Sequence, residues 1–265
     1  MKRKVLVEEK DSYEPNAKER EIKAKYLKGE STGPTWFKDG DFGPNVTVLE
    51  SRAISVLITK LRDKQTSGLD FMRCGDRLMR ILAEEGLARL PEVHNVDVQT
   101  PCGPFQGLQM ADSARICAVS IIRSGDTLLE AVRTLCPGIA VGKILIQRDE
   151  THPEKLPKLF YSKLPGDIAK RSVVLVDPML GTGGSAKCAI SVLRKAGVDE
   201  SNIMFLNVVA CPEGISRLFK EYPGIRMVTC AVDPYLNENK YIAPGLGDFG
   251  DRYYSTTESA EPHTK

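Results

Sequence analysis

The chain is expected to fold as α/β, with a mostly parallel sheet flanked by helices, and three observations point there. From Ile116 onward, short apolar runs alternate with segments whose apolar residues recur at helical spacing. The run Val173-Val174-Leu175-Val176 is apolar throughout, as in a strand buried on both faces. It passes through an acid and a Gly/Thr-rich turn, Asp177 to Ser185, into the helical stretch Ala186–Leu193, which is how a βα unit reads.

In chain order, residues 1–45 are polar, charged and rich in Gly and Pro. They read as an N-terminal extension, partly disordered, outside a catalytic domain at 46–265. Apolar residues spaced by three and four predict helices over Glu50–Asp63 and Leu69–Gly86. Residues 96–110 mix alternating apolar positions with Pro101, Gly103, Pro104 and Gly107, the pattern of a β-hairpin arm. Strands are then expected at Ile116–Ile122, Gly142–Gln147, Val173–Val176, Ile203–Val209 and Ile225–Val232. Helices are expected at Asp126–Leu135, Ala186–Leu193 and Pro212–Tyr222. No internal repeat or low-complexity tract interrupts this order.

With 265 residues the chain is long enough for one large core or two small ones. A formal charge of +2 gives no support to a nucleic-acid or membrane-surface partner. No apolar run is long enough to span a bilayer, and acids follow the basic N-terminus where a signal peptide would be apolar, so a cytoplasmic protein is expected. The seven cysteines stand singly, without a C-x-x-C pair, and suit a reducing compartment rather than a disulfide scaffold or zinc site. The three histidines have no partner at metal-ligand spacing.

The chemistry concentrates at strand ends. A strand, a tight turn of small residues and a helix N-terminus make an anion cradle, because unpaired backbone N–H groups converge where the helix dipole is positive. Thr182 and Ser185 add hydroxyl donors, Gly181, Gly183 and Gly184 allow close backbone approach, and Asp177 sits where open α/β sheets bind ligands. The loop has neither the Walker G-x-x-x-x-G-K-[ST] nor the G-x-G-x-x-G dinucleotide pattern. A bare T-G-G could be an ordinary βα turn; the strand, acid and terminal hydroxyl in register set this one apart. Ile121-Ile122-Arg123-Ser124-Gly125 brings an arginine to a second strand end, where it could clamp a pyrophosphate. Gln147-Arg148-Asp149-Glu150-Thr151 opens a polar, proline-broken segment through Tyr161, which reads either as a solvated connection or as a lid bringing Arg148 to a ligand. In Tyr241–Tyr254, Pro244, Gly245, Gly247 and Gly250 crowd together with Asp248 and Asp251. No regular helix or strand is expected there, but a shaped loop: a structural turn cluster, or a backbone reader of a planar base.

Taken together, V-V-L-V-D-P-M-L-G-T-G-G-S, I-I-R-S-G, I-L-I-Q-R-D-E, F-Y-S-K-L-P and Y-I-A-P-G-L-G-D-F-G-D-R resemble the uracil phosphoribosyltransferases, over roughly residues 46–256. The resemblance implies the type I phosphoribosyltransferase fold with a C-terminal base-binding hood. It implies transfer of the 5-phosphoribosyl group from phosphoribosyl pyrophosphate (PRPP) to uracil, giving UMP and pyrophosphate in pyrimidine salvage. By it, Asp177, Arg123 and Arg148 are catalytic. PRPP is bound by Arg123, Arg148, Asp177, Pro178, Met179, Leu180, Gly181, Thr182, Gly183, Gly184, Ser185 and Asp248, and uracil by Ile242, Gly247, Asp248 and Phe249. Pro178 stands where many type I members have a second acid, so Mg²⁺ is expected to arrive with PRPP and not on a protein site. Gly181 and Ser124 replace the alanines common in the family. The resemblance further implies a homodimer or homotetramer, with Arg77 and Arg133 as candidates for a GTP effector pocket, although lone helix-surface arginines also read as merely solvated. Two competitors remain: a transferase for a purine or orotate, which P-G-L-G-D opposes, and a weak or inactive regulator that keeps the fold to sense nucleotides.

Overall fold

The computed structural model describes residues 13–30, 35–110, 113–148 and 157–256. Helix α1 (Ala17–Leu27) precedes strand β1 (Val46–Val48), and α2 (Arg52–Arg62) and α3 (Gly68–Leu87) follow, with Ser51 and Ser67 accepting from the first-turn amides of Ala53 and Asp70. β2 (His94–Thr100) and β3 (Gly103–Gln109) form the antiparallel arm, in register from His94 opposite Gln109 to Thr100 opposite Gly103. The alternating half begins with β4 (Ile116–Ile122), α4 (Gly125–Leu135), β5 (Ala140–Arg148) and β6 (Pro157–Lys163). It continues through β7 (Ser172–Val176), β8 (Met179–Leu180), α5 (Gly184–Lys195), β9 (Ile203–Ala210), α6 (Pro212–Glu221) and β10 (Arg226–Val232). A short hairpin, β11 (Tyr235–Leu236) and β12 (Ile242–Ala243), and helix α7 (Phe249–Tyr254) close the described chain.

The main sheet runs β1-β10-β9-β7-β4-β5-β6, with β8 added to β9, and every pairing is parallel except β5 with β6. Alternate residues of each central strand feed opposite cores. Ile116, Ala118, Val174, Val176, Met204 and Leu206 face α2, α3 and α4. Cys117, Val119, Val173, Leu175, Ile203 and Phe205 face α5 and α6. Burial on both faces is why these strands are apolar without alternation. No helix among the described residues is long and apolar enough to cross a membrane.

Two expectations are corrected. Residues 1–45 were placed outside the core, but those of them that are described contribute to it. Ile22 of α1 and Phe37 are buried in the second core together with Val46. Asn16 and Glu19 form a reciprocal capping box, and Lys18 pairs with Asp41 at 2.6 Å. Residues 241–254 were expected to hold no regular structure, yet 242–243 pair with β11 and 249–254 are helical. Asp248 supplies the cap by accepting from the Asp251 amide at 2.8 Å, and Phe249 buries its ring against Phe71 and Tyr253. The lid expected after Arg148 falls partly on 149–156, outside the described residues; its remainder, from Pro157, is the edge strand β6.

Candidate active site

A cleft of about 760 Å³ opens at the carboxyl ends of β4, β5 and β7 and is roofed by the segment after β11. Open α/β sheets bind ligands at this edge, since the loops that leave it converge there. One wall is the Asp177–Ser185 loop. Gly183 precedes α5 with φ +83°, a left-handed conformation, and a Cβ on it would stand 3.2 Å from the Gly214 carbonyl oxygen. Gly214 is itself required, because its Cβ would meet the Gly181 oxygen at 2.3 Å. The loop thus rests on the start of α6, and the buried Cys211 thiol donates to the Gly181 carbonyl at 3.2 Å. Burial pushes that thiol up to about 12, so it remains a protonated donor at neutral pH. Thr182 to Ala186, at the N-terminus of α5, line the cleft, and the Gly184 amide donates to the Thr182 hydroxyl at 3.4 Å; helix-start amides and hydroxyls of this kind suit a phosphate.

Asp177 follows β7, 8% exposed. Its carboxylate accepts from the Ser124 hydroxyl at 3.2 Å, and the buried Asn207 amide holds its carbonyl at 3.1 Å. One wall therefore presents a shielded carboxylate beside the glycine-rich loop at the start of α5. Opposite it, the Ile122–Arg123 peptide is cis and Arg123 lines the cleft. The Arg123 guanidinium is turned toward α7, where it pairs with Asp251, donates to the Thr256 hydroxyl at 3.1 Å and lies over Tyr254. Arg123, followed by the Thr256 hydroxyl, holds the Asp251 carboxyl below the usual carboxylate range. Arg123, expected to clamp a pyrophosphate, is paired here with the Asp251 carboxylate. Arg148 ends β5 at the same edge, and nothing of its side chain is described.

The roof presents Lys240, Tyr241, Ile242 and Gly247 to Gly250. Because the Phe249 ring is buried, its contribution to the cleft is backbone. A buried network that the sequence did not signal holds this roof. Asp233, fully buried, takes two hydrogen bonds from the Arg62 guanidinium, one of them at 2.8 Å, and another from the Gly245 amide at 2.8 Å; Arg62 also donates to the Gly245 carbonyl at 2.8 Å. Arg252 reaches the Leu246 carbonyl at 2.6 Å and the Asp63 carbonyl at 2.7 Å, with Phe71 beneath it. Asp233 follows β10 as Asp177 follows β7, so the same strand-end reasoning could have found it. Arg62 lies in unremarkable helical sequence, and Arg252 ends the glycine-rich run that was expected to be irregular, so nothing local marks the partners of either.

Of the expected site residues, Asp177, Arg123, Met179 to Ser185, Ile242 and Gly247 to Phe249 meet at one cleft. Pro178 does not: it is buried, and its carbonyl accepts from Val208 and Val209 at 2.9 and 3.0 Å, turning the chain into β8. Arg77 and Arg133 are exposed on the adjacent helices α3 and α4, outside the cleft, and Arg133 pairs with Glu130 at 2.8 Å.

A family model described as "Uracil phosphoribosyltransferase" matches residues 48–256. A uracil phosphoribosyltransferase of Dictyostelium discoideum is 48% identical over 216 residues, 81% of this chain and 98% of that one. One from Saccharomyces cerevisiae is 49% identical over 199 residues, covering 75% and 90%. Among solved structures, the AQ2163 protein of Aquifex aeolicus superposes with a TM-score of 0.68 at 28% identity, over 79% of this chain and 98% of that one. The strand-end acid, the Gly181–Ser185 loop and the glycine-rich roof all lie inside the matched span, and that match together with these relatives establishes that this chain belongs to the uracil phosphoribosyltransferase family.

Proposed function

We propose that this cleft divides the family reaction, phosphoribosyl transfer from PRPP to uracil in pyrimidine salvage, among the residues at its three walls. The observation that supports the division is the meeting of the α5 cradle, the shielded Asp177 and the backbone-lined roof in one cavity. The 5′-phosphate rests on the α5 amides and the Thr182 and Ser185 hydroxyls, with Met179 to Gly184 shaping the loop and Asp177 taking the ribose hydroxyls. Uracil lies under the roof with its edge groups on the backbone of Ile242 and Gly247 to Phe249, and Asp248 reaches toward PRPP. Its N1 bonds to C1′ as the C1′–O bond to pyrophosphate breaks, and the N1 proton passes to the departing pyrophosphate. Positive charge develops on the ribose ring, where the Asp177 carboxylate stabilises it across a poorly hydrated gap. Arg123, exchanging Asp251 for phosphate oxygens, and Arg148 take up the charge of the departing pyrophosphate. No protein nucleophile is needed, because positioning and electrostatics supply the acceleration.

Among the described residues no three His, Cys, Asp or Glu cluster as a metal site, and the carboxylates lining the cleft are Asp177 and Asp248. That donor set fits Mg²⁺ held mainly by PRPP oxygens and water, with at most these two carboxylates from the protein. When bound, the ion screens pyrophosphate charge.

Exposed Val98, Phe105 and Leu108 on the β2–β3 arm support the homo-oligomeric part of the reading. A GTP effector at Arg77 and Arg133 belongs to the same reading; gel filtration and rates with and without GTP test both. The central experiment is steady-state turnover of uracil with PRPP, followed by UMP formation. Tight PRPP binding without turnover would favour the regulator instead.

A further inference from the structure

Helix α1 lies against the strand that backs the uracil-side roof. Tyr26 packs on Tyr235 with ring centroids 5.7 Å apart, and the Lys23 ammonium stands 4.7 Å from the Tyr235 centroid. Trp36 meets the other side of Tyr26, edge-on at 5.5 Å. The helix is held in place: Ile22 is buried, the capping box closes its first turn, and the Tyr13 hydroxyl binds the buried Glu19. Tyr235 is paired with Ala243 and Leu236 with Ile242, the roof residue assigned to uracil. Leu236 also reaches the phosphate loop, since its Cδ2 is 3.7 Å from where a Gly181 Cβ would stand. Across the turn, the Asn237 amide donates to the Tyr241 carbonyl at 2.8 Å, and the Asn237 side chain accepts from the Tyr241 amide at 2.9 Å. Behind the hairpin, Tyr13, Glu19, Lys23, Pro234 and Leu236 surround a small cavity of about 220 Å³.

An isolated two-residue ladder has little stability of its own. Its root is fixed by Asp233 with Arg62 and Gly245, whereas β11 itself packs against α6, and its Tyr235 ring takes Tyr26 and Lys23 of α1 as further neighbours. We infer that α1 is a positioning element for uracil: Tyr26 and Lys23 clamp Tyr235, and through the β11–β12 pair they hold the Ile242 backbone at the height the base requires. This inference rests on the assignment of the 241–249 roof to uracil. Tyr26 touches neither substrate and acts through Tyr235.

The test uses full-length Tyr26→Ala, Lys23→Ala and Tyr26→Phe, measuring KM for uracil, KM for PRPP, kcat and thermal midpoint. An aromatic contact of this kind corresponds to a change of about 3- to 10-fold. Tyr26→Ala is therefore expected to raise KM for uracil about 3- to 10-fold while KM for PRPP stays within about twofold. Lys23→Ala shifts uracil in the same direction and less, about twofold. Tyr26→Phe keeps the ring and restores the wild-type values. Unchanged KM for uracil in Tyr26→Ala, or parallel rises in both KM values with a lowered midpoint, overturns the inference and leaves α1 purely structural. Gly247→Ala separates the two failures. If it raises KM for uracil and Tyr26→Ala does not, only the role of α1 is lost. If Gly247→Ala leaves uracil binding intact, the roof assignment is wrong and the inference falls with it.

Discussion

Replacing Arg62 with methionine removes the cation from the pair that holds the roof of the cleft to β10. Asp233 is 0% exposed and the Arg62 side chain 20% exposed, so the carboxylate left behind could not be reached by bulk water. It would keep one donor, the Gly245 amide, out of three hydrogen bonds. Stranding one partner of a buried pair costs about 3–5 kcal/mol. For a domain of this size roughly 2–4 °C accompany each kcal/mol, so the thermal midpoint should fall by about 6–20 °C. The double variant Arg62→Met/Asp233→Leu removes both charges and leaves only the Gly245 amide and carbonyl unpaired, each at about 1–3 kcal/mol. It should therefore be less destabilised than the two single variants summed, by about 4 kcal/mol at the centre of these ranges. Urea unfolding of the four proteins measures this coupling, and uracil kinetics report the roof: KM for uracil should rise in Arg62→Met more than KM for PRPP. A midpoint within about 2 °C of wild type in Arg62→Met, or additive single and double variants, would refute the reasoning.

Three further outcomes are expected. Asp177→Asn should remain folded while kcat/KM falls about 100-fold or more, because a shielded charge facing a developing cation is lost; wild-type turnover would show that the strand-end acid has been misassigned. With PRPP, cytosine should be discriminated against by roughly 10⁴-fold, since exchanging a donor and an acceptor leaves buried roof groups unpaired. 5-Fluorouracil should be used and thymine excluded by its methyl group, and initial rates with each base decide the matter. Finally, burial raises the Cys117 thiol to about 11 and Cys211 to about 12, whereas unfolded thiols ionise near pH 8.5. Between those values the unfolded chain binds fewer protons, so stability should fall as pH rises, by about 1.4 kcal/mol per pH unit for each thiol. The decline in urea midpoint between pH 8.5 and 10 should be shallower in Cys117→Ala; an unchanged slope would contradict the assignment.

How much of this protein was legible in its residues depended on whether the signal was local. Strand Ile116–Ile122 was readable to the residue, and the helices at 52–62 and 68–87 to within two residues at each end. Burial on one or both faces writes a period into the sequence that needs no knowledge of the partner. The strand–loop–helix unit at 173–195 was legible for the same reason: strand, acid, glycines and helix start are contiguous in sequence, and the structure sets that loop at the cleft. Helix α1 was not legible. Its sequence AKEREIKAKYL has no apolar stripe, and what docks it is one buried isoleucine, a capping box and an aromatic contact to residue 235. Strand β1 is three residues long, too short to show a period, and is a strand because β10 lies beside it.

The residues therefore determined the α/β class, the order of its main strands and helices between α2 and β10, and the strand-end loop that forms one wall of the cleft, each set by neighbours in sequence. Tertiary structure alone decided that Arg123 is turned onto Asp251, that Pro178 is buried outside the cleft lining, and that residues 249–254 wind into a helix once Phe249 finds Phe71. It alone brought Arg62 across 171 positions to Asp233. Such pairings carry no period and no motif, because the energy that fixes them comes from excluding water around groups that are neighbours only after the chain has folded.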